Sequence, residues 1–129
     1  MVDTVVAQDL ALQGDLDGAI ALARAVVEEE INSGGLIFVP TATNVLVEAL
    51  LLRGTGGDVQ EAHSVIDRMA AVQIEPGVVV YDVWTLKLRT QLAHAQGNGA
   101  TYTQYRDRYR KMATDLGFEG HMAWSEAMD

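Results

Sequence analysis

Gly14-Asp15-Leu16-Asp17-Gly18-Ala19 is the stretch that decides the fold, because its pattern returns later in the chain. The second copy is Gly57-Asp58-Val59-Gln60-Glu61-Ala62, and a weaker third copy is Gly97-Asn98-Gly99-Ala100-Thr101-Tyr102. A glycine adopts the left-handed backbone that ends one helix, and the Asp or Asn side chain after it caps the next helix. Each copy therefore predicts a tight turn between two helices.

The spacing of these turns indicates a helical repeat. Gly57 follows Gly14 by 43 residues, and Gly97 follows Gly57 by 40 residues. Periods of this length are typical of stacked helical hairpins, each of which buries a face against its neighbour. We therefore expect Ala19 and Ala62 to be buried at equivalent positions. The expected helix starts are at Asp15, near Asp58 and near Ala100.

Apolar residues recur at spacings of three and four along the whole chain, which predicts helices rather than strands. The expected fold class is all-α, with stacked helical hairpins in a single domain over residues 1–129. The predicted helices lie at about 3–13, 16–31, 41–53, 58–71, 78–96, 100–116 and 118–127. They form three hairpins at about 3–33, 41–71 and 78–117, followed by a short capping helix at about 118–127.

Local patterns refine the helix starts. Pro40 is expected to begin the third helix and to bias Val39 away from right-handed helical geometry. Two other starts have the form of capping boxes. They are Asp58 with Glu61 and Thr101 with Gln104.

Two helices carry a defined apolar stripe. The first helix is predicted from the helical spacing of Val6, Ala7, Leu10 and Ala11, and it is expected to leave an exposed apolar face that packs on another chain. The sixth helix carries an aromatic stripe, which we interpret as core rather than as a platform for stacking bases. Its members are Tyr102, Tyr105, Tyr109, Met112 and Leu116.

The composition favours a soluble cytoplasmic protein. The 129 residues include no Cys and two Pro, so no disulfide or thiolate metal site is expected and helices are favoured over loops. Charged residues interrupt every apolar run before the roughly 18 residues that a bilayer requires. The N-terminus also lacks the basic region of a signal peptide.

The net charge of −9 is unevenly distributed: residues 1–64 hold ten acids and two bases, whereas residues 65–129 hold eight acids and seven bases. A nucleic-acid partner is unlikely on this basis, because a phosphate backbone attracts Lys and Arg side chains and residues 1–64 are mainly acidic. Four bases within Arg106–Lys111 spread around one helix, and we interpret them as a solvated face. The triplet Glu28–Glu30 is interpreted in the same way.

The residues show no catalytic or metal-binding constellation. The glycine run Gly54–Gly57 precedes acids rather than the Lys-Ser/Thr of a phosphate loop. His63, His94 and His121 lack partners at metal-ligand spacing, and His121 is expected at the surface. No serine lies in a nucleophile motif. We therefore expect no enzymatic activity, no metal and no cofactor.

The turns resemble those of the tetratricopeptide repeat (TPR). In that family the second helix starts after a Gly, with a small Ala five residues on and an apolar residue four later. Ala19 with Ala23, and Ala62 with Ile66, match these places. The period is longer than the family's usual length of about 34 residues. The resemblance implies TPR-like hairpins whose first helices line a concave binding side.

A second resemblance covers nearly the whole chain. It is similar to the C-terminal helical segment of mycobacterial adenylate-cyclase-like and ATPase-containing regulators. That family joins such a segment to a cyclase domain, an ATPase domain or a LuxR-type DNA-binding domain, and none of their active-site residues has a counterpart here. The similar stretches are 14–20 (Gly-Asp-Leu-Asp-Gly-Ala-Ile), 46–54, 57–62, 105–113 and 116–124 (Leu-Gly-Phe-Glu-Gly-His-Met-Ala-Trp).

These resemblances imply a protein-interaction or regulatory module, the tail or fragment of a larger signalling or transcription regulator. Its partner would be a protein or peptide, including domains of its parent regulator or a second copy in a homodimer, and no membrane is expected. In the TPR family certain positions of each hairpin face the ligand. The resemblance assigns these positions here to Thr4, Gln8, Asn44, Lys87, Gln91 and His94. The alternative is a small-molecule-sensing domain with an internal pocket. Its lining would be Phe38, Met69, Tyr81 and Trp84.

Overall fold

A computed structural model describes residues 2–72 and 80–128. Over these residues the chain is all-α, as predicted, with seven α-helices, one short 3-10 helix at Leu36–Phe38, and no strand. The helices are α1 (Val2–Leu12), α2 (Leu16–Ser33), α3 (Val39–Arg53), α4 (Asp58–Ala70), α5 (Val80–Ala95), α6 (Gly99–Leu116) and α7 (Glu119–Glu126). The predicted start of the fifth helix at residue 78 lies outside the described residues.

The contacts divide the chain into two compact units, Met1–Ala71 and Val72–Asp129. In the first unit α2 packs against α1 and α3, while α3 also packs against α4 and touches α1. In the second unit α6 packs against both α5 and α7. Helices that follow one another along the chain therefore pack together within each unit. The single domain over residues 1–129 stays a prediction.

The turn between α1 and α2 has the predicted form. Gly14 takes a left-handed conformation with a φ of +89°. The Oδ1 atom of Asp15 accepts a hydrogen bond of 2.9 Å from the amide of Gly18, so Asp15 caps α2. Ala19 and, in α4, Ala62 are fully buried. The predicted cap and both predicted burials are thus confirmed.

The turn between α5 and α6 repeats this geometry, although its sequence is the weakest of the three copies. Gly97 has a φ of +71°, and the side chain of Asn98 accepts a hydrogen bond of 3.2 Å from the amide of Thr101. The predicted capping box of Thr101 with Gln104 is therefore wrong. Because α6 begins at Gly99, Asn98 occupies the cap position and Thr101 lies inside the first turn.

The turn between α3 and α4 is built differently. Gly57, with a φ of +88°, precedes α4 without a side-chain cap. Asp58 is the first residue of the helix, and its carboxylate turns back to bind Thr55 and Arg53. The predicted capping box of Asp58 with Glu61 is therefore wrong, because that carboxylate is engaged on the other side.

The start of α3 also differs from the prediction. Val39 is helical, with φ of −59° and ψ of −45°, and Pro40 is the second helical residue. The 3-10 helix Leu36–Phe38 leads into α3 and already sets a helical direction. Pro40 is tolerated because amides in the first turn have no partner within the helix.

The stretch Leu36–Arg53 is long and apolar enough to cross a bilayer by length and composition, with a mean hydropathy of 1.6, although no such stretch was expected from the sequence. Within the protein 56% of it is buried. Ten residues of α3 are buried, including Leu46, Val47 and Leu50. The core helix of a soluble protein has the same composition.

The apolar residues of α1 differ in their exposure. Val6 is 42% exposed, whereas Thr4 and Ala7 are buried. Ala7 and Thr4 are one turn apart on the side that packs toward α2 and α3, since small side chains let these helices approach closely. Val5 and Leu12 are exposed with Val6.

The aromatic stripe of α6 is core only at its centre. Tyr109 is fully buried, and it forms an apolar cluster with Val83 and Leu86 of α5. Tyr105 and Met112 pack against this cluster while half-buried. Tyr102 is also half-buried, and Leu116 is 40% exposed, so the predicted burial of Leu116 is wrong.

Candidate functional site

The first unit contains three of the predicted groove residues. Gln8 is exposed on α1, whereas Thr4 is buried and its hydroxyl has no hydrogen-bond partner among the described residues. Asn44 of α3 is buried, and its amide donates a hydrogen bond of 2.9 Å to Glu48 one turn later. Gln8 is therefore the one of these three that is exposed to a partner.

The second unit contains the other three, all on α5. Lys87 is only 3% exposed, and its ammonium donates to the side chain of Gln91 at 3.5 Å. Gln91 is half-buried, and His94 is exposed with its ring 5.1 Å from that of Tyr102. Gln91 and His94 therefore present an amide and an imidazole on one side of α5. That all six residues share one groove stays a prediction.

The four residues of the alternative pocket have mixed burial. Met69 is buried and Phe38 is 37% exposed in the first unit. In the second unit Tyr81 is buried and Trp84 is half-buried. Burial raises the pKa of the Tyr81 hydroxyl. A pocket shared by all four stays a prediction.

A cluster of polar residues, which we call the Arg53 cluster, joins three helices of the first unit. It consists of Asp17 on α2, Arg53 at the end of α3, Thr55 in the turn and Asp58 at the start of α4. Two guanidinium N–H groups of Arg53 donate to the two carboxylate oxygens of Asp58 at 2.9 and 2.7 Å. A third donates to Asp17 at 2.9 Å.

Asp58 is held as an anion in this cluster. Its Oδ2 atom also accepts from the amide of Thr55 at 3.0 Å and from the hydroxyl at 2.8 Å. Hydrogen bonds from Arg53 and Thr55, opposed by burial, hold the pKa of Asp58 well below its usual range. Hydrogen bonds to Asp58 and then to Asp17 raise the pKa of Arg53. The four groups satisfy one another, which agrees with the prediction that the glycine run is structural.

Two further ion pairs connect α2 with α4. Arg24 donates to the carboxylate of Glu61 at 2.8 and 2.7 Å, and Arg68 pairs with Glu28. Glu28 therefore has a partner in α4, while its side chain stays 50% exposed, in agreement with its interpretation as part of a solvated face. Hydrogen bonding to Arg68 lowers the pKa of Glu28. These ion pairs leave few basic side chains of the first unit available to bind other anions.

A second group, which we call the His121 cluster, lies in the second unit. It consists of Trp84 and Lys87 of α5, Tyr109 of α6, and His121 and Trp124 of α7. Sequence analysis places His121 at the surface, but the residue is 8% exposed, so that prediction is wrong. Its Nδ1 atom lies 2.7 Å from the hydroxyl of Tyr109, and α7 packs on α6 such that the side chain points inward.

Aromatic rings surround His121. The ring centroid of Trp84 is 4.7 Å away and that of Trp124 is 5.2 Å away, both nearly perpendicular to the imidazole. The ammonium of Lys87 lies 4.5 Å from the ring of Trp124 and 5.6 Å from that of Trp84. Trp124 nonetheless remains 43% exposed on its outer side.

The electrostatics of this cluster keep both of its hydrogen-bonded groups neutral. Burial, followed by the positive charge of Lys87, lowers the pKa of His121 to about 4. Burial raises the pKa of Tyr109 above its usual range. At neutral pH this contact therefore joins a neutral phenol to an uncharged imidazole, and the tautomer of His121 decides which of the two groups donates.

The basic run of α6 is partly structural. Arg110 donates to the backbone carbonyls of Ser125, at 2.8 Å, and of Met128. These carbonyls lie at and just after the end of α7, where the helix itself supplies no i+4 amide, and the carbonyl of Ser125 also accepts from the amide of Met128 at 3.2 Å. Arg106 pairs with Asp107, and Lys111 pairs with Asp115. The interpretation of the run as a solvated face is therefore corrected for Arg110.

Sequence reasoning missed the His121 cluster because its partners come from three helices. A usable signal was present: Tyr109 is on the core stripe of α6, and the turn at Gly117 folds the next helix back over it. Within the parts of the chain that the structure describes, no group of three His, Asp or Glu residues is placed to hold a metal ion.

Comparisons of the chain with protein-family models, with characterised proteins and with solved structures found no significant match. The function is therefore inferred from its own residues and geometry.

Proposed function

We propose that the chain is a non-enzymatic, TPR-like helical module that binds a protein or peptide partner within a larger signalling or transcription regulator. One observation carries this proposal. The turns at Gly14-Asp15 and Gly97-Asn98 have the same left-handed glycine and the same side-chain cap, and each joins two packed helices. Recurrence of one turn geometry along a chain is what a helical repeat requires, and such repeats typically bind other proteins.

The side chains at the predicted ligand-facing places suit a peptide. Gln8 and Gln91 carry amides that can both donate and accept hydrogen bonds, as the backbone of an extended peptide does; the amide oxygen of the half-buried Gln91 already accepts from Lys87. His94 adds an exposed imidazole beside the ring of Tyr102. Aromatic residues such as Tyr102 are enriched at binding surfaces. We therefore place the peptide along α5, at Gln91 and His94.

A selection experiment tests this assignment. A phage-displayed library of random peptides is panned against the full chain, and the affinity of the enriched peptides is measured by calorimetry. The double variant Gln91→Ala with His94→Ala is expected to weaken binding by roughly tenfold or more. The matched control is Thr103→Ala with Gln104→Ala, which changes exposed residues of α6. Equal binding by both double variants, or no enrichment over an unrelated helical protein, would contradict the proposal.

A specific observation also favours self-association. Val5, Val6 and Leu12 are 52%, 42% and 81% exposed on α1, so this helix carries apolar surface that its own unit leaves uncovered. Burying such surface drives association. We therefore propose a homodimer through α1. Light scattering that shows only a 14.0 kDa species at micromolar concentration would exclude it. The variant Leu12→Glu is expected to dissociate the dimer.

A further inference from the structure

Polar contacts of two residues, His121 and Arg110, hold α7 to its unit beside the aromatic packing of Trp84 on α7. Its eight residues follow α6 after only Gly117 and Phe118. His121 bonds to the buried hydroxyl of Tyr109, and Arg110 binds the carbonyls at the end of α7. Each contact can be altered singly without touching the apolar cluster of Val83, Leu86 and Tyr109.

The surroundings of His121 accommodate the neutral ring and disfavour the cation. The side chain is nearly excluded from water, and its Nδ1 atom lies 2.7 Å from the hydroxyl of Tyr109. A protonated imidazole donates at both ring nitrogens and accepts at neither, so it can keep this bond only by donating to the Tyr109 hydroxyl. The face of the Trp124 ring already lies next to the ammonium of Lys87, which leaves that ring less able to stabilise a second cation.

The charged and titratable groups around His121 reinforce this preference. From α5 it faces Lys87, a cation. From α6 it faces the hydroxyl of Tyr109, next to Arg110, whose guanidinium is bound to α7 carbonyls. On α7 itself, Glu119 and Glu126 are exposed to water. The nearest charge that the described contacts record is thus positive.

We propose that α7 is an acid-released helix: protonation of His121 weakens its packing on α5 and α6 and uncovers the apolar cluster around Tyr109. This inference goes beyond partner binding and does not depend on it. The surface of the second unit would then change with pH, because release of α7 makes the apolar cluster beneath it accessible.

The direction of the pH dependence follows from the two protonation states. In the docked state the pKa of His121 is about 4, whereas in the released helix it returns toward the ordinary 6.5. Between these values the released state binds more protons, so docking weakens as the pH falls. From about pH 7.5 to about pH 5 the docking equilibrium constant is expected to fall roughly thirtyfold.

Amide hydrogen exchange in α7 tests the proposal on the full chain. After correction for intrinsic exchange, protection of α7 is expected to fall roughly thirtyfold between about pH 7.5 and about pH 5 in the natural chain. His121→Gln, which stays neutral, should abolish this fall. The matched control His94→Gln changes an exposed histidine and should keep it. Unchanged protection in the natural chain, or a pH dependence that survives in His121→Gln, would overturn the proposal.

A second measurement covers the case in which His121→Gln fails to fold. The ring of His121 is titrated by NMR in the natural chain. A midpoint well below 6.5 supports the proposal, and a midpoint at or above 6.5 overturns it.

Discussion

The turn between α3 and α4 and the turn between α5 and α6 carry similar sequences but work differently. Both contain a glycine with positive φ, Gly57 and Gly97, followed by an acidic or amide residue. Asn98 caps the helix that follows it, whereas Asp58 binds Arg53 and Thr55 and caps nothing. The comparison shows that a repeated Gly-Asx pattern marks the turn, while neighbouring residues determine what the Asx side chain does.

The substitution Arg53→Ala is expected to have the largest effect, because it leaves the buried carboxylate of Asp58 without its charged partner. Removing one partner of a buried ion pair lowers stability more than replacing both partners with apolar residues. The free energy of unfolding, measured by urea denaturation, should fall well below that of the control Arg24→Ala. Arg24 belongs to a half-exposed pair with Glu61. Equal effects of the two variants would show that the Arg53 cluster contributes no more than a surface pair.

The glycines should be equally necessary in both turns. Gly57→Ala and Gly97→Ala each force a side chain into left-handed geometry, at a cost of about 1–2 kcal/mol. Gly56→Ala is the control, because Gly56 has no positive φ and an added Cβ there meets no atom within 4 Å. Thermal unfolding of the three variants measures the difference. If Gly56→Ala were as destabilising as Gly57→Ala, the left-handed backbone of Gly57 would not be what makes glycine necessary in this loop.

Loss of the cap at Asn98 should have a smaller effect. Asn98→Ala removes the acceptor for the amide of Thr101 and is expected to destabilise the chain by about 1 kcal/mol. The control is Gln104→Ala, because Gln104 was predicted to form a capping box with Thr101 and the structure gives it no such role. This substitution should leave the unfolding midpoint unchanged. If Gln104→Ala were as destabilising as Asn98→Ala, the assignment of the cap to Asn98 would be wrong.

The smallest effect is expected for Asp17→Asn. Asp17 is the exposed partner of Arg53, with 85% of its side chain accessible, and exposed ion pairs contribute little because water screens them. Its effect on urea unfolding should lie far below that of Arg53→Ala and should vanish in high salt. A large, salt-resistant loss would make Asp17 an equal member of the Arg53 cluster.

The all-α class and the cap at Asp15 could be predicted because they depend on contacts within one or two turns. The burial of Ala19 and Ala62 could be predicted because a helical repeat places equivalent residues against neighbouring helices. The bond between Arg53 and Asp58 could not, because it depends on how the loop folds back. His121 and Tyr109 lie on different helices, and their contact depends on the packing of α7. The groove positions could not be derived from local periodicity, because periodicity does not identify which exposed side chains face a ligand.

The exchange of the two Asx residues tests the comparison most directly. Urea unfolding is measured for Asp58→Asn and for Asn98→Asp. Asn can cap a helix as Asp does, but it carries no charge. Asp58→Asn should therefore be clearly destabilising, because Arg53 loses its buried carboxylate partner. Asn98→Asp should change the free energy of unfolding by less than about 0.5 kcal/mol, since Asp caps as well as Asn. If Asp58→Asn were as harmless as Asn98→Asp, the two turns would work alike and the distinction drawn between them would be wrong.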